Sequence, residues 1–169
     1  MMQPLFSALP VRPQILQAIS ELGFQEMTEI QQKAIPPLLE GKDVIAKAPT
    51  GTGKTYAFGI PLIQQIDPEI PEIQSVILAP TRELATQICD DLRALTRFLP
   101  QIKIQVIYGG QPMERQKQKL KNGAHILVAT PGRLLDFMKH RFLSLSHVST
   151  AVLDEADKML DMGFYKDVR

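Results

Sequence analysis

Short runs of β-branched or aliphatic residues recur along the chain, and the first four are separated by longer stretches of helical periodicity. The runs cover residues 44–46, 75–79, 102–108, 126–129 and 150–153. Connections of this length between near-continuously apolar strands specify parallel pairing, right-handed crossovers and helices on both faces of the sheet. The chain is therefore predicted to fold as a three-layer α/β/α sandwich with a mainly parallel sheet.

Two helices are predicted before the first strand, at residues 12–22 and 29–40. Gly23 closes the first, and Gly41 closes the second, as is common at helix C-termini. Thr28 and Gln31 have the spacing of a capping box at the start of the second helix. Phe24, at the exit of the first helix, is predicted to be a core residue.

The bulk properties are those of one ordinary globular domain. The chain has 169 residues, of which 44% are hydrophobic and 22% charged,. Its formal net charge is only +1, so any contact with nucleic acid must be local,. The single cysteine, Cys89, excludes an internal disulfide and is predicted to be buried and inert,.

The two ends of the chain carry no targeting or stop signal that we can identify. No apolar run reaches the roughly 18 residues of a membrane span, and the N-terminus lacks the pattern of a secretory signal. We therefore expect a cytoplasmic protein with no membrane partner. Residues 167–169 do not resemble the end of a domain, so we expect the sequence to be truncated there.

A glycine-rich loop follows the first predicted strand. Ligands of open parallel sheets bind beyond the carboxyl ends of the strands, where loops meet helix N-termini whose amides attract anions. The loop consists of Ala48, Pro49, Thr50, Gly51, Thr52, Gly53, Lys54 and Thr55. Ala48 stands where the phosphate-loop pattern has its first glycine, but the remaining glycines, the cation and the hydroxyl are kept. Lys54 is predicted to contact the β- and γ-phosphates, and Thr55 to bind Mg²⁺. The alternative is a glycine-rich turn with a surface lysine.

Carboxylates follow the last predicted strand, in the sequence Asp154-Glu155-Ala156-Asp157. Asp154 is predicted to make the second magnesium contact, and Glu155 to orient or deprotonate the attacking water. Acids that favour a helix dipole are the alternative explanation. Combined with the phosphate loop at the same predicted sheet edge, the pattern indicates nucleotide hydrolysis with Lys54, Asp154 and Glu155 as catalytic residues.

The phosphate loop and the acidic tetrad together resemble the DEAD-box family of superfamily 2 helicases, and the other strand exits agree. Matching segments begin with Pro80-Thr81-Arg82 (motif Ia), Gly109-Gly110, and Thr130-Pro131-Gly132-Arg133 (motif Ib). The resemblance implies that these residues bind the sugar-phosphate backbone of single-stranded or short duplex RNA without reading its sequence. Arg82 and Arg133 have an alternative role, packing their stems or pairing with acids such as Glu83 or Asp136.

Residues 23–31 resemble the Q motif of the same family, and Phe6 is the accompanying upstream aromatic residue. The resemblance implies an adenine pocket that selects ATP. Gln31 would donate to and accept from the adenine edge, Phe6 would pack on the ring face, and Gln25 would offer a backbone carbonyl. Met27 stands where the family usually has proline, which predicts a less rigid loop. The capping-box role of Gln31 can coexist with adenine binding.

The resemblance covers residues 6–169 and identifies residues 1–169 as the N-terminal RecA-like, P-loop domain of an ATP-dependent RNA helicase, with the Q-motif segment at 6–31. It implies ATP and Mg²⁺ as cofactors, and a second RecA-like domain that carries an arginine finger. Neither that domain nor the Ser-Ala-Thr motif is in this sequence, and Asp157 is expected to couple to the latter. We therefore expect the fragment to bind ATP, Mg²⁺ and part of the RNA, but to hydrolyse little.

Two other functions remain open at this point. The phosphate loop and acids do not specify the polymer, so an ATPase acting on DNA or on protein complexes is an alternative. A noncatalytic nucleotide-dependent clamp is another. The three histidines lack metal-ligand spacing and are predicted to lie at the surface or at strand edges. The basic residues 115–121 are predicted to form a solvated helix face.

Overall fold

The computed structural model describes residues 4–163, so the predicted chain end at 167–169 lies outside the described residues. Met1–Ile66 and Asp91–Pro100 form a first compact unit, and Asp67–Asp90 and Gln101–Arg169 form a second. No helix in the described part of the chain is long and apolar enough to cross a membrane.

The first unit is helical. A 3-10 turn at Phe6–Ala8 precedes α1 (Pro13–Glu21), α2 (Glu29–Leu39) and α3 (Lys54–Gln64), so the two helices predicted from the sequence are confirmed to within two residues. Proline at the first position of α1 suits a helix start, because the N–H it lacks would have no helical partner,. The largest fully buried side chains in this unit are aliphatic and include Ile15, Ile35, Ile60, Ile63, Leu92 and Leu95.

The strand predicted at residues 44–46 is wrong. Residues 42–49 have no regular secondary structure, and the side chain of Ile45 is fully exposed. A β-strand exists only as part of a hydrogen-bonded ladder. Among residues 4–163, no segment pairs with this run, so its β-branched composition alone does not make it a strand.

The second unit contains a four-stranded sheet made of β1 (Ser75–Leu78), β2 (Ile104–Ile107), β3 (Ile126–Ala129) and β4 (Thr150–Leu153). The strand order is β2-β3-β1-β4, and all three pairings are parallel, which confirms the predicted sheet type. The strands are joined through α4 (Arg82–Leu95), α5 (Met113–Lys121) and α6 (Pro131–Lys139), and β4 leads into α7 (Ala156–Asp161). α4 has residues in both units.

The core of the second unit consists of apolar residues of the sheet and of the helices that pack against it. Leu127 of β3, Ile107 of β2, Phe137 of α6 and Met159 of α7 are fully buried in one cluster. β4 alternates between half-buried and exposed residues, as successive side chains of a strand point to opposite faces, and within the described chain it pairs only with β1,. Cys89 is buried in α4, as predicted.

His125 lies immediately before β3 and forms a reciprocal pair with Lys103. The ring Nδ1 of His125 accepts a hydrogen bond from the backbone N–H of Lys103 at 2.9 Å. The backbone N–H of His125 donates to the Lys103 carbonyl at 2.8 Å. The residue is buried, with 5% of its surface exposed, although the sequence predicted a surface or strand-edge histidine. Burial lowers the pKa of His125 below its ordinary value of 6.5, because the charged ring is poorly solvated,.

This burial predicts that the protein loses stability in mild acid. The unfolded chain takes up a proton at a higher pH than folded His125 does, so the free energy of unfolding should fall as the pH drops through 6.5,. Urea unfolding at pH 8 and pH 5.5 measures the effect. His125→Asn keeps an acceptor for the Lys103 N–H but cannot titrate, so the variant should lose less stability over this range. Equal losses in the two proteins would contradict the prediction.

Candidate functional site

The glycine-rich loop leads directly into the N-terminus of α3. Gly51 and Gly53 both have φ of +85°, a left-handed conformation that residues with a Cβ rarely adopt,. The two left-handed residues turn the backbone into the helix, whose first residues are Lys54 and Thr55. The first amides of a helix have no partner within it and attract anions. The left-handed glycines and the helix start suit an anion, and phosphate binding by the loop stays a prediction.

Three side-chain hydrogen bonds hold this loop. Thr52 Oγ1 donates to the Pro49 carbonyl at 2.6 Å, within the loop itself. Thr28 Oγ1 donates to the Thr52 carbonyl at 2.8 Å, and Gln31 Nε2 donates to the Gly53 carbonyl at 3.2 Å. Since Thr28 and Gln31 begin α2, the loop is attached to the start of that helix. Ala48 is half-buried, and Thr50 is exposed.

Gln31 combines two structural roles. Its Oε1 accepts from the Thr28 N–H at 2.8 Å, and the full capping box is present, as the sequence predicted. Its Nε2 makes the bond to Gly53 described above, and only 3% of the residue is exposed. A primary amide has two hydrogens and two acceptor positions, so these contacts leave one of each. Adenine binding by Gln31 stays a prediction.

The predicted adenine residues Phe6 and Gln25 lie together. The Phe6 N–H donates to the Gln25 carbonyl at 2.9 Å, so the carbonyl expected to meet adenine already has one partner. Phe6 is buried, with 3% exposed. A pocket of ≈ 230 Å³ has Phe6, Phe24 and Gln25 among its lining residues. Phe24 was predicted to be core, which is wrong: it is 44% exposed and packs on Tyr56, with ring centroids 5.3 Å apart.

Met27 explains how the loop is held without the family's proline. Its N–H donates to the Pro4 carbonyl at 2.8 Å, a bond that proline cannot make,. Together with the Phe6–Gln25 bond it brackets an antiparallel bridge between Leu5 and Glu26. The Met27 side chain is also buried, with 5% exposed. Backbone hydrogen bonds therefore hold this loop, and its lower rigidity stays a prediction.

In the second unit, the four strands end in one row. Leu78 of β1 pairs with Ala129 of β3 and with Leu153 of β4, and Ala129 pairs with Ile107 of β2. The segments that begin beyond this row are motif Ia, the glycine pair, motif Ib and the acidic tetrad. The parallel register therefore brings these four predicted functional segments to a single sheet edge.

The acidic tetrad turns sharply at the end of β4. The Asp154 N–H donates to the Leu78 carbonyl at 3.0 Å, and Asp154 is 8% exposed. Glu155 has φ of +51°, which is uncommon for a residue with a side chain and stores strain,. Its carboxylate lies 3.8 Å from the Lys158 ammonium. Asp157 is exposed, and its Oδ1 accepts from the Lys158 N–H at 2.9 Å.

Among the described residues, no three or more His, Cys, Asp or Glu side chains gather as a protein-only metal site. The magnesium prediction does not require such a group. Mg²⁺ keeps several waters and takes one or two protein oxygens together with substrate phosphates. The Thr55 hydroxyl and the Asp154 carboxylate are hard oxygen donors and suit that chemistry.

The residues of motif Ia and of the glycine pair differ in exposure. Pro80 is buried, and Thr81 Oγ1 accepts from the Leu84 N–H at 3.2 Å at the start of α4. Arg82 is exposed, and its guanidinium lies over the Tyr108 ring, 5.1 Å from the centroid. Gly109 and Gly110 are exposed, as a backbone ligand for RNA must be.

The residues of motif Ib are all buried or half-buried. Thr130 is the N-cap of α6, and the buried Pro131 is its first residue, followed by the half-buried Gly132. The Arg133 side chain is only 10% exposed, and its Nε lies 3.9 Å from Asp136. The alternative role predicted for this arginine, pairing with Asp136, is thus present. RNA contact by Arg133 stays a prediction.

Gln116 is a residue that the sequence analysis missed. It lies within the basic run that was predicted to be solvated, yet it is 5% exposed. Met113 and Leu120, which lie three residues before it and four after, pack on the core of the second unit. Residues at these spacings share one face of a helix, and this periodicity was the available signal.

Comparison with known proteins gives one consistent result. A family model described as DEAD/DEAH box helicase matches residues 28–169. The ATP-dependent RNA helicase CshA of Limosilactobacillus reuteri is 49% identical over 163 residues, which are 96% of this chain and 33% of that protein. The ATP-dependent RNA helicase DbpA of Escherichia coli K12 is 51% identical over 160 residues, 94% of this chain and 35% of that protein.

Among solved structures, a DEAD box protein from the hyperthermophile Methanococcus jannaschii matches with a TM-score of 0.89 and 44% identity. The match covers 97% of this chain and 45% of that one. A second match, titled a hypothetical ATP-dependent RNA helicase from Sulfolobus tokodaii, has a TM-score of 0.84 and 41% identity, over 94% and 45% of the two chains. The chain spans about a third of the length of the curated relatives.

The loop geometry predicts that Gly53→Ala destabilises the protein more than Gly51→Ala. Both changes put a Cβ at positive φ, which costs about 1–2 kcal/mol. A Cβ at Gly53 would also collide with the Gln31 amide, whereas one at Gly51 meets nothing within 4 Å. Urea unfolding of the two variants measures the difference. Equal losses of unfolding free energy would contradict the packing seen between Gly53 and Gln31.

Proposed function

Because this chain belongs to the DEAD/DEAH box helicase family, we propose that it is the first RecA-like domain of an ATP-dependent RNA helicase. The observation that carries the proposal is the common row of strand ends in the second unit. Because the strands end in one row, the acidic tetrad and three polar or glycine-bearing segments all begin at the same sheet edge. Ligands of parallel α/β sheets bind at such edges.

ATP is the proposed nucleotide. The amides at the N-terminus of α3 and the Lys54 ammonium would hold its phosphates, and Thr55 with Asp154 would supply oxygens to magnesium. The bound metal would neutralise charge that develops on the phosphates. Glu155, which its left-handed backbone presents at the end of β4, would orient or accept a proton from the attacking water,. The left-handed glycines at 51 and 53 support the phosphate role.

RNA is the proposed polymer, held through its sugar-phosphate backbone. Three properties support this: the exposed residues Gly109 and Gly110, the helices that begin just after Thr81 and Thr130, and the exposed residue Arg82. Such donors bind phosphate and sugar oxygens without reading bases. The net charge of +1 fits this contact mode, because a few placed donors replace a broad basic surface.

The complete enzyme would need a second RecA-like domain. The chain spans about a third of its curated relatives, which are named ATP-dependent RNA helicases. An arginine finger from the second domain would stabilise the transition state, and the exposed Asp157 would take part in coupling between domains,. Closure of the two domains on RNA would bend one strand and separate short duplexes.

Variants of Lys54 and Glu155 in the full-length protein test the assignment to ATP hydrolysis. Glu155→Gln should lower RNA-stimulated ATP turnover by about 10²–10⁴-fold while ATP still binds, because only the carboxylate that acts on water is lost. Lys54→Ala should weaken ATP binding itself, since it removes a phosphate ligand. A steady-state ATPase assay and titration with a fluorescent ATP analogue measure the two effects.

Glu72→Gln is the control for these variants, because Glu72 is an exposed loop residue, and its turnover should equal that of the unaltered protein. Normal turnover by Glu155→Gln would contradict the catalytic role and favour a noncatalytic clamp. The isolated 169-residue chain is a second comparison: without an arginine finger it should be slower by about 10³–10⁵-fold. Brisk RNA-stimulated turnover by the isolated chain would refute the need for a second domain.

The polymer is tested by comparing matched RNA and DNA oligonucleotides as activators of the full-length ATPase. The 2′-hydroxyl distinguishes the two, and losing its hydrogen bonds should raise the half-activating concentration of DNA about tenfold or more. Both oligonucleotides should have the same length and sequence. Equal activation by DNA would contradict the choice of RNA and favour a DNA-dependent ATPase.

A further inference from the structure

Gln116 is the buried polar side chain of α5, a helix whose other polar residues are exposed or half-buried. An amide removed from water must find partners within the protein, or its burial is strongly unfavourable. Met113 and Leu120 explain why this face of the helix is turned inward, but they do not require an amide between them. The contacts of the amide therefore indicate what it does.

Two of these contacts form a clamp on the backbone of Tyr108. Gln116 Oε1 accepts from the Tyr108 N–H at 3.2 Å, and Nε2 donates to the Tyr108 carbonyl at 3.0 Å. Tyr108 is the first residue beyond β2, so it has left the ladder that fixes Ile107. The Gln116 side chain takes the place of a neighbouring strand and fixes the position from which the Gly109-Gly110 segment begins.

Arg133 fixes the other end of the same segment. Its Nη1 donates to the Gln111 carbonyl at 2.9 Å and to Gln116 Oε1 at 3.3 Å. Its Nε is buried without a hydrogen-bond partner, at 3.9 Å from the Asp136 carboxylate. Because this buried guanidinium donates to groups within the protein, it holds the end of the Gly109-Gly110 segment in place.

The glycine pair depends on these flanking bonds for its position. Gly110 has φ of +81°, and a Cβ placed on either glycine would meet nothing within 4 Å. Packing therefore does not hold the pair, and glycine has no side chain of its own to anchor it. The Arg82 guanidinium on the Tyr108 ring connects the same cluster to the exit of β1.

We propose that Gln116 is a positioning residue for RNA binding: it holds Tyr108 and Arg133 so that the Gly109-Gly110 amides are presented to the sugar-phosphate backbone. The proposal rests on the proposed RNA-dependent function. Gln116 contacts Tyr108, whose ring lies under Arg82 of motif Ia, and it accepts a hydrogen bond from Arg133 of motif Ib. One buried amide thus sets the relative positions of segments that follow β1, β2 and β3.

The test compares Gln116→Leu with Gln118→Leu in the full-length protein. Both changes put the same residue on the same helix, but Gln118 is exposed and belongs to no such cluster. ATP turnover is measured as a function of the concentration of a single-stranded RNA, together with ATP affinity. Gln116→Leu should raise the half-activating RNA concentration about tenfold, as expected for losing hydrogen bonds that order the site. Turnover at saturating RNA and ATP affinity should stay within about twofold, and Gln118→Leu should match the unaltered protein.

Gln116→Met provides a second variant, of nearly the same length and volume as glutamine. It keeps the inward face of the helix filled but removes the amide and its hydrogen bonds to Tyr108 and Arg133, so the half-activating RNA concentration should rise about as much as in Gln116→Leu. If Gln116→Leu does not fold, as judged by circular dichroism, this variant decides the question. An unchanged half-activating concentration in the folded variants would overturn the proposal. So would a parallel loss of turnover, ATP affinity and RNA affinity, because that pattern marks a purely structural role.

The outcome for the unaltered protein separates the two proposals. If RNA stimulates its ATPase and Gln116→Leu responds to RNA as the unaltered protein does, only the positioning role fails. If RNA does not stimulate the unaltered protein at all, the proposed function fails, and the role of Gln116 falls with it.

Discussion

Parallel pairing of β1 with β3 on one side and with β4 on the other fixes the arrangement of the second unit. Both ladders run over all four residues from Ser75 to Leu78, so β1 cannot shift by one residue without breaking them and turning its side chains over,. Because the strands stop in one row, each chain segment that follows a strand starts at the same edge. The polar segments contribute nothing to the sheet, yet their location is a direct consequence of its register.

Both units use the same device to hold a glycine-bearing loop. A buried glutamine on a nearby helix accepts a hydrogen bond from a backbone N–H through its oxygen and donates one to a backbone carbonyl through its nitrogen. Gln31 joins Thr28 to Gly53 in this way, and Gln116 bonds both backbone groups of Tyr108. Glycines provide the backbone shape but no anchoring side chain, so the anchor must come from elsewhere. A neutral amide is suited to this, because it donates and accepts without bringing a charge into the core.

Local patterns predicted much of this structure, and the errors share one cause. β3 and β4 have the predicted bounds because their apolar runs coincide with the paired residues, and the capping box at Thr28 is present because it joins residues only three positions apart. The run at residues 44–46 has strand composition but no ladder partner among the described residues, and Phe24 is apolar but exposed. In both cases the outcome depends on which distant residues come near, which composition does not report.

The sequence by itself determined the alternation of strands and helices, the glycines that turn left-handed, and the motifs that identify the family. Only the tertiary structure decided which polar side chains turn inward. Arg82 and Arg133 both lie in the first turn of a helix after a strand, and the sequence left both roles open for each. Arg82 is exposed, whereas Arg133 is held by Gln111 and Gln116. The difference arises because the hydrogen-bond partners of a guanidinium are supplied by residues about 20 positions away, and only folding brings them within reach.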